Sequence, residues 1–470
     1  MRVDSRNCWF FALVILNTVL PATRVTAGDC QSIGYYVKSP PTPPGFPGSR
    51  DISFHPTNVS VGWLWRVVAL PNGKIIIADL NGLARLNADG SLDAGFVASI
   101  TYQNGPLNNE YSAIALQPDG KILVAGYFDS VNGSRQPFIA RLNPNGSSDE
   151  SFLSPFTESD LDTNLGRWSL ALQPDGKVLV TGGFLRVGQT NRPGIARLNA
   201  EGSLDLTFSP DPIFPAQGER VNAVVIQPDQ KVLIGASYGI YRVNANGSLD
   251  GTFGDGSGLQ GNGVGGYASL LALQPDGKVL AGWFELKRLN ADGTPDPGFE
   301  AQLFEALSCG VYAIALQTNG KILVGGLGGG VVRLHPDGGL DAGFDLAAGL
   351  SEALESRIVM SLAIQADRQV LIAGVFAGGG FDRVETLVRV HGGEWPMILP
   401  RSVRRLPTGE FQFQATGPTN QTWIIQATTN LAAPNWTAIA TNTMGIESLT
   451  FTDPGAANIP SRYYRAVLSQ

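Results

Sequence analysis

The side chains best suited to chemistry are acids and aromatics gathered in six segments of uneven length, 97–112, 153–168, 209–221, 254–268, 300–311 and 345–359. These segments and their edges carry Glu110, Asp160, Asp162, Glu219, Asp255, Glu305 and Glu355, with Tyr102, Tyr111, Trp168, Tyr267 and Tyr312 beside them. Two carboxylates at the right separation divide acid and base duties in glycoside cleavage. Aromatic rings flanked by acids also suit a sugar or a peptide held without reaction. The candidate binding set is Tyr111, Trp168, Tyr267, Tyr312, Asp160, Asp162 and Glu219. No catalytic pair can be chosen among them, because the segments are far apart in sequence and the distances between them follow from the fold alone.

Other chemistries are poorly represented. The three histidines, His55, His335 and His391, have no metal-ligand spacing, which speaks against a zinc site or a histidine-dependent triad. No nucleophile elbow, HExxH or phosphate-binding loop stands in a sensible context. The glycine-rich run GDGSGLQGNGVGG at 254–266 lacks the strand-to-helix setting of a phosphate cradle and reads as a connector. A recurring string, as in Asn87, Asp89, Ser91 and Asp93, puts oxygen side chains at alternate positions in the manner of a calcium loop. Its glycine comes too early and the bidentate glutamate is missing, so no cofactor is expected, with calcium as the alternative.

That string belongs to the framework. The phrase ALQPDGKILVAG at 115–126 returns in seven versions, and the residues after its turn, Lys74, Lys121, Lys177, Lys231, Lys278, Lys321 and Gln369, stand 47, 56, 54, 47, 43 and 48 residues apart. A second phrase follows each of the first six, as RLNADGSLDAGF at 85–96. Both phrases read as hairpins with a three-residue loop closed by glycine. Counting outward from the turns puts Gln117 opposite Lys121 and Leu86 opposite Leu92. It also pairs Arg85 with Asp93, Arg141 with Asp149, Arg197 with Asp205, Arg242 with Asp250, Arg288 with Asp296 and Arg333 with Asp341.

One repeat is therefore four antiparallel strands with two faces to bury, and a period of this size built from strands marks a propeller or solenoid. The expected fold is all-β, a seven-bladed β-propeller of four-stranded antiparallel blades over residues 48–395. GSRDISF at 48–54 matches the fourth strand of a repeat but has no first three before it, while the seventh repeat stops after Val390. The N-terminal strand would thus complete the last blade, with Asp51 opposite Arg389. Six or eight blades would leave a half-repeat unexplained.

The phrases LQPDGKILV and RLNxDGSLDxxF resemble those of the delta-60 repeat family of secreted bacterial proteins, over roughly residues 48–391. The resemblance implies a β-propeller and no particular activity. Departures occur at Gln230, at Thr318-Asn319 and at Arg368-Gln369, where the turn must take its positive-φ residue from something other than glycine, which weakens those hairpins without changing the fold. From about 396 to 470 the repeat is lost and short alternating strands follow, which predicts a small C-terminal β-sandwich. Through NWTAIAT and RYYRAV it resembles the immunoglobulin- or fibronectin-like modules of large secreted bacterial proteins.

Residues 1–27 read as a signal peptide, with the apolar run WFFALVILNTVL and a Val25-Thr26-Ala27 cleavage site. Residues 28–47 are a proline-rich lead-in. No membrane span is expected once the signal is removed. Cys30 and Cys309 then remain, free to pair or not. A formal charge of −7 argues against nucleic acid, which needs clustered cations. The expected protein is secreted, extracellular or at the cell surface. It is foremost a non-catalytic scaffold that binds a glycan, peptide or protein partner on the face with variable loops. A carboxylate-dependent polysaccharide hydrolase or lyase, and a structural surface or matrix component without a discrete ligand, are the alternatives.

Overall fold

The computed structural model describes residues 47–56, 64–79, 82–101, 113–161, 167–210, 220–254, 268–282, 284–303, 307, 310–327, 330–341, 343–344, 354–378, 384–393, 397–398, 404–416, 422, 423–429, 435–442, 448–456 and 462–468. The chain divides into two compact units. The larger comprises Asp51–Asp341 and Ser351–Val390; the other comprises Met1–Arg50, Ala342–Leu350 and His391–Gln470. Among the described residues the structure is all-β, with 3-10 turns at Glu158–Asp160 and Pro454–Ala456 as its helical content.

Among the described residues, seven three-stranded antiparallel sheets, one per repeat, carry the larger unit; a small sheet of Ile100–Thr101, Ser130–Val131 and Ser134–Arg135 and a hairpin of Arg186–Val187 and Thr190–Asn191 lie beside them. The first runs through Arg66–Ala69, Ile75–Asp79 and Gly82–Leu86, the second through Ala113–Leu116, Ile122–Ala125 and Ile139–Leu142, the third through Ser169–Leu172, Val178–Thr181 and Ile195–Leu198. The fourth holds Val221–Ile226, Val232–Ala236 and Gly239–Val243, and the fifth Leu270–Leu273, Val279–Gly282 and Leu286–Leu289. The sixth holds Val311–Leu316, Ile322–Gly326 and Val331–Leu334, and the seventh Leu354–Ile364, Val370–Gly378 and Val384–Val390.

The hairpin registers follow from the turns. Leu116 pairs with Ile122, the Gln117 amide donates to the Lys121 carbonyl at 2.8 Å, and Asp93 N donates to Arg85 O at 2.8 Å. Gln230 and Arg368 adopt the left-handed conformation themselves, at φ 68° and 69°, where other copies have glycine. The sixth copy does not follow that expectation: Thr318 and Asn319 replace proline and aspartate only, and Gly320 still takes the left-handed position, at φ 82°.

The sheets have three strands where four were expected. The segment after the second turn meets the third strand at one bridge, Leu86 with Leu92 or Leu198 with Leu204, and then bends away. Its aspartate causes the bend. Asp205 Oδ1 accepts from Thr207 N at 2.9 Å and from Thr207 Oγ1 at 2.6 Å, and Phe208 N returns to Asp205 O at 3.3 Å. A side chain that captures its own backbone two residues on makes a turn and ends the ladder.

Middle strands are buried on both faces, as at Ile122–Ala125. Alternation sends successive side chains to opposite neighbours. Ile122 and Val124 share an apolar cluster with Ile76 and Leu83 of the first sheet, while Leu123 and Ala125 share another with Val178 and Val180 of the third. The same sharing joins the first and seventh sheets through Val67, Ile75, Ile77, Leu371, Ala373 and Leu387. First strands of successive sheets are neighbours throughout, and the first strand of the seventh sheet neighbours that of the first.

In the smaller unit, Gly48 N donates to His391 O at 2.7 Å and His391 N to Ser49 O at 3.0 Å. Its C-terminal strands form two antiparallel sheets. One contains Met397–Ile398, Arg404–Arg405, Phe411–Thr416 and Ser448–Asp453; the other contains Trp423–Thr428, Thr437–Asn442 and Tyr463–Leu468. Phe413 and Ala415 of one sheet and Trp423, Ile425 and Ala466 of the other form a single buried cluster.

Candidate functional site

Each repeat aspartate is the centre of a cluster built by its two hairpins. The turn of the second phrase puts Arg141 across from Asp149, with Nε 2.6 Å from Oδ2, and the turn of the first brings Lys121 Nζ to the same oxygen at 2.8 Å. Asp93, Asp205, Asp250, Asp296 and Asp341 are held alike by Arg85, Arg197, Arg242, Arg288 and Arg333, at 2.6–2.7 Å. Lys74, Lys177, Lys231, Lys278 and Lys321 complete those clusters at 2.7–3.0 Å. In the seventh repeat Arg389 takes Asp51, 2.7 Å away.

The arginines reach further. Arg141 Nη1 donates to Ala200 O at 2.6 Å, Arg197 to Ala245 O at 2.6 Å and Arg242 to Ala291 O at 2.8 Å. Arg85 donates likewise to Pro144 O, Arg288 to Pro336 O and Arg389 to Ala88 O. Each acceptor lies in the second-phrase turn of the next sheet. The guanidinium groups of Arg85, Arg141, Arg197, Arg242, Arg288 and Arg389 also lie over Phe96, Phe152, Phe208, Phe253, Phe299 and Phe54, at 4.5–5.0 Å from the ring centroids.

This setting keeps the carboxylates ionised. At Asp149 burial raises the pKa, but hydrogen bonds from Lys121, Ser151 and Arg141 outweigh it and hold the group well below the usual carboxylate range. Asp205 and Asp250 are lowered in the same way. At Asp93 the hydrogen bond from Lys74 is the largest influence and brings the pKa to about 2; Lys278 does the same for Asp296. An acid so depressed and so enclosed is unsuited to proton transfer near neutral pH. In the calcium-like string, Asp89 Oδ1 accepts from Ser91 N and Oγ at 2.9 and 2.7 Å, and Asp93 is occupied by Lys74 and Arg85.

Of the candidate binding set, Asp160, Trp168 and Tyr312 are described, and the first two are buried. Asp160 is 1% exposed. Its Oδ2 accepts from Thr157 N at 2.7 Å, Thr157 Oγ1 at 3.0 Å and Gly188 N at 3.1 Å, so this oxygen secures the 3-10 turn. Trp168, also 1% exposed, stacks on Phe138 with centroids 6.1 Å apart and meets Phe156 and Phe184 edge-on or tilted. It is a core residue and offers no platform. Tyr111, Asp162, Tyr267 and Glu219 lie outside the described residues, as do Tyr102, Glu110, Asp255, Glu305, the Glu355 side chain, Cys30, Cys309 and the signal segment.

Tyr312 stands at the start of the sixth sheet's first strand, and the guanidinium of Arg167 lies 5.9 Å from its ring centroid. Arg167 precedes the third sheet and its backbone N donates to Asn222 Oδ1 of the fourth at 3.2 Å. Arg66 opens the first strand of the first sheet, with Nη1 on Trp65 O at 3.0 Å. Burial, together with the nearby charge of Arg167, holds the Arg66 guanidinium down to about 10. Arg167 thus touches residues of the fourth and sixth sheets. Sequence reasoning missed the arginines, although one signal was present. The position of Arg66, eight before Lys74, is alanine, serine or leucine in the other copies: Ala113, Ser169, Ala223, Leu270, Ala313 and Ser361.

Repeated three-stranded sheets sharing their cores with neighbours on both sides are the build of a β-propeller repeat protein. Six segments, 70–96, 117–152, 173–208, 227–253, 274–299 and 317–344, match the model of a β-propeller family described as a domain of unknown function, DUF5122. The chain is similar in structure to the extracellular domain of a one component system of B. thetaiotaomicron, with 13% identity over 88% of this chain and 47% of that one and a TM-score of 0.44. A hybrid two component system domain of the same organism gives 12% identity, 79% and 46% coverage and a TM-score of 0.46. A gluconolactonase of Xanthomonas campestris gives 14%, 70% and 86%, and 0.32. The chain spans less than half the length of the two B. thetaiotaomicron domains. Comparison with curated proteins finds no match. Among the described residues no helix is long and apolar enough to cross a membrane.

Proposed function

We propose that the protein is a secreted or surface-exposed, non-catalytic propeller that binds a glycan, peptide or protein partner on the face opposite its hairpin turns. The observation that carries this reading is the use made of the repeat carboxylates. Each is tied to an arginine, and six also to a lysine, so none is free to act as acid or base. The turns on their side are equally committed. Val97 N donates to Asn145 O at 3.1 Å, Leu153 N to Glu201 O at 3.1 Å and Ser209 N to Asn246 O at 2.8 Å, stitching each sheet to the next. What varies between repeats is left to the other side, where segments on a rigid frame are the usual carriers of recognition.

The larger unit is read as seven blades closed by the N-terminal strand, with the SLDxxF segment as a short fourth strand in each. Three contacts support this. Asp51 N donates to Arg389 O at 2.9 Å, as Asp93 N does to Arg85 O. His55 N donates to Asp89 O at 2.8 Å, as Val97 N does to Asn145 O. Arg389 grips Ala88 O in the first repeat, as Arg85 grips Pro144 O in the second. The C-terminal sheets are read as a small sandwich that spaces or attaches the propeller.

A screen of the chain from residue 28 against polysaccharide and peptide arrays, with and without calcium, followed by assay of the supernatants for cleaved product, tests the functional reading. Saturable binding without product is expected. Turnover that disappears on neutralising a carboxylate of segments 97–112, 153–168 or 209–221 would replace it with the hydrolase reading.

A further inference from the structure

Six repeats supply their own aspartate, and the seventh does not. Arg85, Arg141, Arg197, Arg242, Arg288 and Arg333 each take an aspartate eight residues on, delivered by the same hairpin. Arg389 takes Asp51, 338 positions away, so recognition there is between segments that no turn connects. The contacts are those of a short strand laid into a seat. Arg389 Nη2 lies 2.7 Å and Nε 2.8 Å from Asp51 Oδ2, Asp51 N donates to Arg389 O at 2.9 Å, and His55 N donates to Asp89 O at 2.8 Å. Phe54 is buried under the Arg389 guanidinium among Val67, Ile75, Leu371 and Leu387. The groups that the strand meets belong to the first and seventh repeats, and the Asp-x-x-Phe spacing suffices to reach them. This seat also has fewer charges to hold its strand. Gln369 stands where the other six repeats have the lysine that gives their aspartate a second ion pair. Folding order adds to the difference. Residues 51–55 are synthesised long before the seventh repeat, and until that repeat has folded the strand has no seat in its own chain. Closing so long a loop also costs more chain entropy than closing a hairpin.

We infer that the seat on the seventh repeat is an interaction site for an Asp-x-x-Phe strand, and that its alternative occupant is the same strand of a second copy of this chain, so that two copies trade residues 51–55. The trade is reciprocal about a two-fold axis. Each Asp51 meets the partner's Arg389, and every contact of the strand is kept, which is why exchange of an identical element is a low-cost route to a dimer. The inference rests on the reading that residues 51–55 close the larger unit.

Charge reversal on separate copies tests the exchange. Chains from residue 28 carrying Asp51→Arg or Arg389→Asp face like charges at the seat, within one chain or between identical chains. Each should melt below the parent and stay monomeric when refolded alone. Refolded together from urea, the strand of each copy matches the seat of the other, and a one-to-one heterodimer melting above either variant is expected by size exclusion with light scattering. A mixture that stays monomeric and keeps the two separate melting temperatures overturns the exchange. A chain carrying both changes separates this inference from the closure on which it rests. Recovered stability in that chain without heterodimer in the mixture keeps the closure and rejects the exchange, whereas single variants that melt like the parent reject both. A second measurement uses the parent chain alone and covers a variant that fails to fold. Two batches bearing different fluorophores are refolded together, and doubly labelled dimers are expected in a fraction that rises with protein concentration and falls with excess synthetic peptide of residues 47–56. Absence of such dimers, or dimers indifferent to the peptide, contradicts the proposal.

Discussion

A single aspartate in each repeat answers to an arginine, a lysine and its own backbone, and the arginine answers in turn to the neighbouring sheet. Removing one member therefore strands charges that the fold has half-buried. Asp149→Ala leaves Arg141 and Lys121 facing each other, and should lower the unfolding free energy by about 2–4 kcal/mol, read from the urea midpoint. An unchanged midpoint would show the pair to be solvent-screened. The pH dependence follows from the same groups. Asp93 and Asp296, at about 2 when folded, and Asp149, Asp205 and Asp250, lower still, all sit beneath the unfolded value near 3.9. A depressed folded pKa gives stability that is complete above the unfolded pKa and fades as pH falls toward the folded one. The contribution of these clusters to the urea midpoint should thus be constant from pH 7 to about 5 and fall between about pH 4 and 2. Asp149→Asn should remove part of that slope. A loss beginning near pH 6 would point to other groups.

The hairpin is the element, and its glycines are of two kinds. Gly120 has φ +83°, and a Cβ there would make only an ordinary contact, with Pro144 Cγ at 3.5 Å. Gly146 has φ +91°, and a Cβ there would meet Val97 O at 2.6 Å, because this turn packs on the preceding sheet. Gly120→Ala should cost about 1 kcal/mol from backbone strain, and Gly146→Ala distinctly more, through a clash with main chain that cannot move aside. Thermal denaturation of the two variants gives the comparison, and equal losses would refute the packing argument. The converse change tests the worn copies. Gln230→Gly and Arg368→Gly relieve left-handed side-chain residues and should each raise stability by about 0.5–1 kcal/mol.

At the scale of the molecule the question is what joins the last repeat to the first. Asp51, Phe54 and His55 supply to the seventh and first repeats the bonds that every other repeat receives from the segment following its own turn. Deleting residues 48–54 should accordingly lower the melting temperature by more than 10 °C, on the order of several lost kcal/mol, and broaden the transition. A variant that melts like the parent would show the larger unit to be held by sheet stacking alone.

The repeat, its turns and its Arg–Asp register are encoded over short stretches. A hairpin pairs residues eight apart, such as Arg85 and Asp93, so counting from the glycine suffices. The Gln230 and Arg368 substitutions were visible for the same reason. Other features depend on separations no local rule spans. The grip of Arg141 on Ala200 O, 59 residues on, needs the next sheet in place. The aspartate's turn, which leaves three strands in a sheet, is a choice between two hydrogen-bonding patterns that the same residues permit. Trp168 and Asp160 looked free because they lie in a segment of variable length, and only packing against Phe138 and the hydrogen bond from Gly188 N tied them to the frame. Arg167 and Tyr312, whose contact joins the third and sixth sheets, are far apart in sequence. Sequence determined the parts and their local pairing, because turns and registers are short-range. The tertiary structure decided which side chains are buried and which partners in other sheets they meet, because those depend on neighbours that are distant along the chain.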